Sequence, residues 1–185
     1  SYVWDVYSDI NGDGMNTPAY PSHYTLANTG SAGTEGSGYN KEHIIPQSTF
    51  DEKSPMVSDA HHVLPTDATV NGMRSSYNHA EVGSASKTSR NGSKLGTSKT
   101  PGCNGTVFEP INIYKGDIAR IYFYFCVRYY NQSPFTPAQY FTSMKTGYCL
   151  QTWAQTLYRQ WSTQDPVSQK EILRNSGVYS LQRNR

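Results

Sequence analysis

Two short stretches hold the residues whose types and spacing could do chemistry. YNKEHIIPQSTF at 39–50 sets a carboxylate beside an imidazole, Glu42 and His43. SDAHHVLPTDATVNGMRSSY at 58–77 carries Asp59, His61 and His62, then Asn71 and Arg74. Carboxylate and amide oxygens suit Mg²⁺, which keeps several waters and binds through few protein ligands plus a substrate phosphate. A neutral imidazole beside such an ion could take a proton from water, because it titrates near physiological pH. Glu42 and Asn71 are therefore candidate metal ligands and His43 a candidate general base.

Positioning these groups asks for a strand through Glu42-His43, a return strand ending near Pro65, and a helix carrying Asn71. Thr66 suits an N-cap and Asp67 a first helical turn. Asp67, Asn71 and Arg74 then fall at i, i+4 and i+7 on one face. Asp67 reads first as a cap-region charge and second as a reserve ligand. Neighbours on a regular strand point to opposite faces. Either the backbone bends at Glu42-His43, or His43 works from the far side; the sequence leaves both open.

Read together, Glu-His-x-x-Pro (42–46), Asp-x-His-His-x-x-Pro (59–65) and Val-Asn-Gly-x-Arg-Ser (70–75) resemble the bacterial endonuclease I family. The resemblance continues through Phe-Glu-Pro (108–110), KGDIAR (115–120) and DPVSQKEILRN (165–175). That family consists of secreted, DNA- and RNA-degrading enzymes of the ββα-metal (His-Me finger) class. The resemblance implies an α+β fold: a ββα-metal motif over about 39–80 within a largely helical single nuclease domain with long loops, residues 1–185. It implies hydrolysis of phosphodiester bonds in DNA, and in RNA, with little sequence preference and 5′-phosphate products. It makes His43 the base, Glu42 and Asn71 the ligands of one Mg²⁺ (Mn²⁺ or Ca²⁺ as substitutes), and the enzyme a secreted or periplasmic monomer. One departure stands out. The family pattern has an arginine between the His and the helix that steadies the cleaved phosphate, whereas here that interval holds only Lys53. Arg74 is the nominated substitute, with a structural ion pair as its other role.

The 185 residues suit one domain with a real core. Charged residues are 16% against a typical ~25%, and Tyr is abundant. No apolar run of ~18 residues suggests a membrane span, and no signal peptide opens the chain, so Ser1 reads as a trimmed start. Residues 1–80 hold nine acids against three Lys/Arg, residues 81–185 five against thirteen. An acidic half with the metal site and a basic half for phosphates would suit a nuclease, unless folding mixes them.

Asp9, Asn11 and Asp13 open like an EF-hand calcium loop, but Tyr20 stands at the twelfth position where Glu is required, so a polar turn is expected there. Residues 28–38 read as a Gly/Ser loop. Residues 84–106 read as a long basic loop in which Lys87, Arg90, Lys94 and Lys99 contact nucleic acid, or are merely solvated. A helical part over about 115–180 follows. It opens with a helix from Asp117 that is apolar nearly all round, so buried. A helix striped by Leu150, Trp153, Leu157 and Trp161 comes next, then one capped by Asp165-Pro166 in which Glu171 and Arg174 pair. Cys126 is expected to pack as a small hydrophobe, leaving Cys103 and Cys149 as the candidate bridge.

Two rival readings draw on other features. A non-enzymatic Ca²⁺-dependent binding module would use the 9–14 loop and the tyrosines. A zinc hydrolase would use His61 and His62, which lack further ligands at zinc spacing; a structural role is the favoured reading for both.

Overall fold

A computed structural model of the chain describes residues 2–7, 23–30, 33–129 and 149–184. The calcium-like Asp9, Asn11 and Asp13 lie outside the described residues. The chain divides into two compact units, residues 1–42 with 64–114 and residues 43–63 with 115–185. The division narrows the expected acidic and basic split and puts the basic 84–99 stretch in the same unit as Glu42 and Asn71: the first unit holds eight acids against six Lys/Arg, the second six against ten.

In the first unit, β1 (Tyr2–Trp4) pairs antiparallel with β2 (His23–Thr25). β3 (Tyr39–His43) and β4 (Val63–Asp67), whose end residues His43 and Val63 are assigned to the second unit, form a second two-stranded sheet. The Ala68 N–H donates to Gly38 O at one end and the Ile44 N–H to His62 O at the other, so the strands run in opposite directions. α1 (Ala68–Arg74) follows directly, which gives the expected strand, return strand and helix. Its cap is Asp67 rather than Thr66: Oδ1 of Asp67 accepts from the Thr69 and Val70 N–H groups at 2.7 and 3.0 Å. Oδ2 accepts from Tyr24 OH and the Gly36 N–H, which removes Asp67 as a reserve ligand.

Residues 84–106 are a correction. They are not a loop but most of a sheet of order β5-β8-β7-β6: β5 (Asn78–His79), β6 (Val82–Thr88), β7 (Lys94–Ser98) and β8 (Thr106–Glu109). β6 buries only Val82, so its sequence shows none of the alternation that betrays a half-buried strand. Register shifts interrupt the β6–β7 ladder at Val82/Ser84 and Ala85/Lys87. A Cβ on Gly96 would lie 2.0 Å from Ser84 O, so that closely approached position requires glycine.

In the second unit, α2 (Lys115–Tyr129) packs on α3 (Thr152–Gln164). Ile118, Tyr122, Phe125 and Tyr129 form one buried stripe, and Tyr122 stacks on Tyr158 with centroids 4.6 Å apart. α2 is not apolar-buried all round: Val127, on the other face, is 79% exposed. That exposure also revises the cysteines. Cys126, on the half-buried side of α2, bridges to Cys149 with Cα atoms 5.5 Å apart, and Cys103 is the buried free thiol. α4 (Gln169–Gln182) is capped by Ser168 in a reciprocal capping box with Glu171, not by Asp165-Pro166. Glu171 pairs with Arg120, while Arg174 donates to the carbonyls of Ala60, His61 and Val63.

Candidate active site

Strand alternation sends Glu42 and His43 to opposite faces, and the partners of each show it. Asn40 and Glu42 share the β3 face that α1 covers. Asn71 Nδ2 donates to Asn40 Oδ1 at 2.7 Å and to Lys41 O at 3.1 Å. One turn on, Arg74 Nη1 donates to Glu42 Oε1 at 2.8 Å. The Tyr7 hydroxyl donates to the same oxygen at 2.6 Å. Burial prevails over the Arg74 charge and the Tyr7 hydrogen bond and holds the Glu42 carboxyl above its ordinary value.

Tyr7 also meets His79 Nε2 at 2.8 Å. The phenol has one hydrogen, and a carboxylate can only accept, so that hydrogen goes to Glu42. His79 must then carry its proton on Nε2 and donate to the phenol oxygen. Its ring is fully buried, and burial, followed by the Arg74 charge, holds its pKa well below the usual imidazole range.

His43 belongs to the second unit. Its Nε2 lies 3.0 Å from the Val57 carbonyl oxygen. A carbonyl only accepts, so the proton of neutral His43 sits on Nε2 and Nδ1 is the basic nitrogen. His62 meets the His43 ring edge-on with centroids 5.6 Å apart. Its own Nε2 donates to Met56 O at 2.6 Å, and burial holds its pKa down to about 4. His61 Nε2 donates to Asn184 O at 2.8 Å. Both histidines thus reach backbone carbonyls through Nε2. Asp59 organises this loop: it accepts from Tyr124, Tyr129 and the His61 N–H. Burial works against its charge, but those hydrogen bonds prevail and hold its carboxyl below the ordinary range.

Several sequence-predicted residues stand together within the first unit. Asn71 and Arg74 both reach β3, the one at Asn40 and the other at Glu42. Arg74 is only 1% exposed, so a buried guanidinium committed to Glu42 replaces the expected phosphate-steadying group. Lys53, the one Lys or Arg between His43 and Asn71, is exposed and lies 2.8 Å from Asp51. Lys87, Arg90, Lys94 and Lys99 are exposed on and beside β6 and β7, with Lys99 3.9 Å from Glu81. Lys87 also lines a cleft of about 520 Å³ with Glu35, Thr69, Val70, Gly72, Met73, Thr88 and Ser89.

Sequence reasoning missed Tyr7, His79 and Val57. Tyr7 is 35 residues from its partner Glu42 and His79 a further 37 away, with no motif joining them. Val57 acts through its carbonyl, which leaves no side-chain signature.

A metal would find a fitting donor set on the α1 side. The two donors to Glu42 both fall on Oε1 and neither on Oε2. The Asn71 amide nitrogen is committed to β3, so its carbonyl oxygen is the donor atom it could offer an ion. One carboxylate and one amide oxygen suit a hard cation that keeps its waters. Among the described residues no group of three or more His, Cys, Asp and Glu side chains forms a cage of the zinc kind.

Strand, return strand and helix thus follow one another in the order the sequence anticipated. The sequence profile of the Endonuclease I family matches residues 1–185, and the chain belongs to that family. It is 28% identical over 192 residues to the extracellular ribonuclease of Bacillus amyloliquefaciens. It is also 28% identical over 197 residues to the extracellular ribonuclease of Bacillus subtilis (strain 168). Both alignments take in 100% of this chain but only 63% of the relative, so the chain spans less than two thirds of their length.

Proposed function

We propose that this chain is a metal-dependent endonuclease that hydrolyses phosphodiester bonds of DNA and RNA with little sequence preference and leaves 5′-phosphates. Membership in the Endonuclease I family and likeness to two proteins named extracellular ribonucleases support a nuclease acting on nucleic acid outside the cell. No helix among the described residues is long and apolar enough to cross a membrane. The observation that supports the chemistry is the Val57 carbonyl on His43 Nε2, which favours the tautomer with its proton on Nε2.

In this reading His43 Nδ1 accepts a proton from water as the water oxygen bonds to phosphorus in line with the leaving 3′ oxygen. The P–O3′ bond breaks, the phosphate stays on the 5′ oxygen of the downstream fragment, and the 3′ oxygen takes a proton from solvent. The Val57 carbonyl holds the ring in place and stabilises the imidazolium as it forms. Glu42 and Asn71 would hold one divalent cation, Mg²⁺ with Mn²⁺ or Ca²⁺ as substitutes, and when bound that ion offsets the charge building on the phosphoryl and leaving oxygens. Exposed Lys87, Arg90 and Lys94 would hold flanking phosphates, which needs no base recognition. The test is digestion of supercoiled plasmid and of RNA with EDTA and with Mg²⁺ restored. Cleavage lost in EDTA and regained with Mg²⁺ supports the reading. Cleavage that persists in EDTA, or that only Zn²⁺ restores, overturns it.

A further inference from the structure

Glu42 is held more tightly than ligation alone requires. Three side chains from separate parts of the first unit converge on it in a line: Arg74 from α1, Tyr7 after β1, and His79 from β5 behind Tyr7. Glu42, Tyr7, His79 and Arg74 are all 0–2% exposed. Tyr7 is clamped in turn, its ring 4.9 Å from Phe108 and its carbonyl accepting from the Ser93 hydroxyl. The hydrogen-bond directions admit one arrangement, in which His79 donates to Tyr7 and Tyr7 donates to Glu42.

The consequence lies in which oxygen receives them. Tyr7 OH and Arg74 Nη1 both donate to Oε1, at 2.6 and 2.8 Å, and a carboxylate oxygen has two in-plane lone pairs. Oε1 is therefore saturated, and only Oε2 is left to meet a cation. A carboxylate restricted to one oxygen suits a small ion with octahedral demands and retained waters. A larger ion such as Ca²⁺ takes more oxygens and often uses both of one carboxylate.

Building on Glu42 as a metal ligand, we propose that Tyr7, aimed by His79, is a positioning residue that makes Glu42 a one-oxygen ligand and so selects small divalent cations over Ca²⁺. Tyr7→Phe keeps the ring and its packing but frees one lone pair of Oε1. The carboxylate can then turn and present both oxygens. Affinity for Mg²⁺ falls by about 10- to 100-fold, the usual effect of losing a residue that orients a ligand, while affinity for Ca²⁺ holds or rises. A residue with a purely structural role would weaken both ions together, so the ratio of the two affinities carries the test.

Calorimetric titration of the intact chain with Mg²⁺ alone and with Ca²⁺ alone decides it, on the wild type, Tyr7→Phe, His79→Leu and His79→Gln, each checked for folding by circular dichroism. The expected result is a Mg²⁺-to-Ca²⁺ preference that collapses in Tyr7→Phe and His79→Leu. His79→Gln, whose amide can still donate to the phenol, should retain it. An unchanged preference in a folded Tyr7→Phe, or in a folded His79→Leu if the first does not fold, overturns the proposal. Glu42→Ala is titrated alongside. If it binds Mg²⁺ as the wild type does, the ligand assignment itself has failed; if it does not, a negative result from Tyr7→Phe counts against the positioning role alone.

Discussion

Glu42 and Arg74 form an ion pair closed off from water, with Nη1 2.8 Å from Oε1 and side chains 2% and 1% exposed. A buried pair need not add net stability, but removing one partner leaves an uncompensated charge and costs about 3–5 kcal/mol. Arg74→Met should therefore lower the unfolding free energy by about that much in urea titration. The double variant Glu42→Gln/Arg74→Met should recover much of the loss, because no charge is left stranded. A single variant as stable as the wild type would mean that Arg74 does not hold Glu42.

Lys87, Arg90, Lys94 and Lys99 are all exposed on or beside the β6–β7 pair; Arg90 feels the Glu35 carboxylate and Lys99 lies 3.9 Å from Glu81. Replacing the first three by Ser should weaken binding to DNA of any sequence. It should also flatten the log–log salt dependence, by up to ~0.9 for each phosphate no longer neutralised on duplex and ~0.7 on single strands. Among single variants, Arg90→Ser and Lys99→Ser should change the slope less than Lys87→Ser, since Glu35 and Glu81 partly answer those charges. Fluorescence anisotropy across a salt series measures both. An unaltered slope in the triple variant would make the hairpin plain solvated surface.

Asp117 should impose a pH dependence on the second unit. Burial, then the neighbouring Glu171 charge, raise its carboxyl to about 8. Arg120 lies 3.2 Å away but is already bidentate to Glu171, so one positive charge serves several carboxylates, Asp165 included. The folded chain keeps this proton up to about pH 8, while the unfolded chain releases it near the ordinary ~3.9. Between those values the native state binds more protons, so this group removes stability as pH rises. Melting temperatures from pH 5 to 8.5 should fall less steeply for Asp117→Asn than for the wild type. Parallel curves would show that Asp117 is already ionised in the folded state.

The Cys126–Cys149 bridge closes a span of 23 residues. By the chain-entropy estimate, a loop of that size is worth about 3 kcal/mol, and Cys126→Ala/Cys149→Ala should lose a comparable amount. Cys103→Ala should leave reductant sensitivity unchanged, because that thiol is free. Thermal melts with and without dithiothreitol separate the two cases.

What the sequence revealed and what it hid follow from how locally each feature is encoded. The ββα motif was legible because Glu42, His43 and Asn71 lie within thirty residues, punctuated by Pro46 and Pro65. The helix start was misplaced by one residue, since Thr66 and Asp67 are both good caps and only the carboxylate geometry separates them. β6 was invisible because six of its seven residues face solvent and carry no apolar alternation. The orientation problem at Glu42-His43 was posed correctly by strand periodicity. Its answer needed Val57 and Tyr7, which no local pattern connects to the pair. The charge split between halves was real in the sequence but narrowed once the chain was seen to cross between units at residues 42–43, 63–64 and 114–115.

His43 offers the sharpest test. If Nδ1 is the general base, His43→Ala should lose about 10²–10⁴ in cleavage rate, the range for general-base catalysis. Mg²⁺ affinity by calorimetry should persist, because Glu42 and Asn71 remain. Wild-type cleavage should decline in acid, since a protonated Nδ1 has no lone pair for the proton of water; the Val57 carbonyl bond survives, because Nε2 carries hydrogen in both forms. His43→Gln should not rescue the rate, since an amide nitrogen can still meet Val57 but nothing on it can act as base. The opposing outcome is specific: His43→Ala that loses metal affinity and regains activity in excess Mg²⁺ would make His43 a ligand. The base would then have to be sought elsewhere, and not at His62, whose Nε2–H is given to Met56 and whose pKa of about 4 leaves it a weak base.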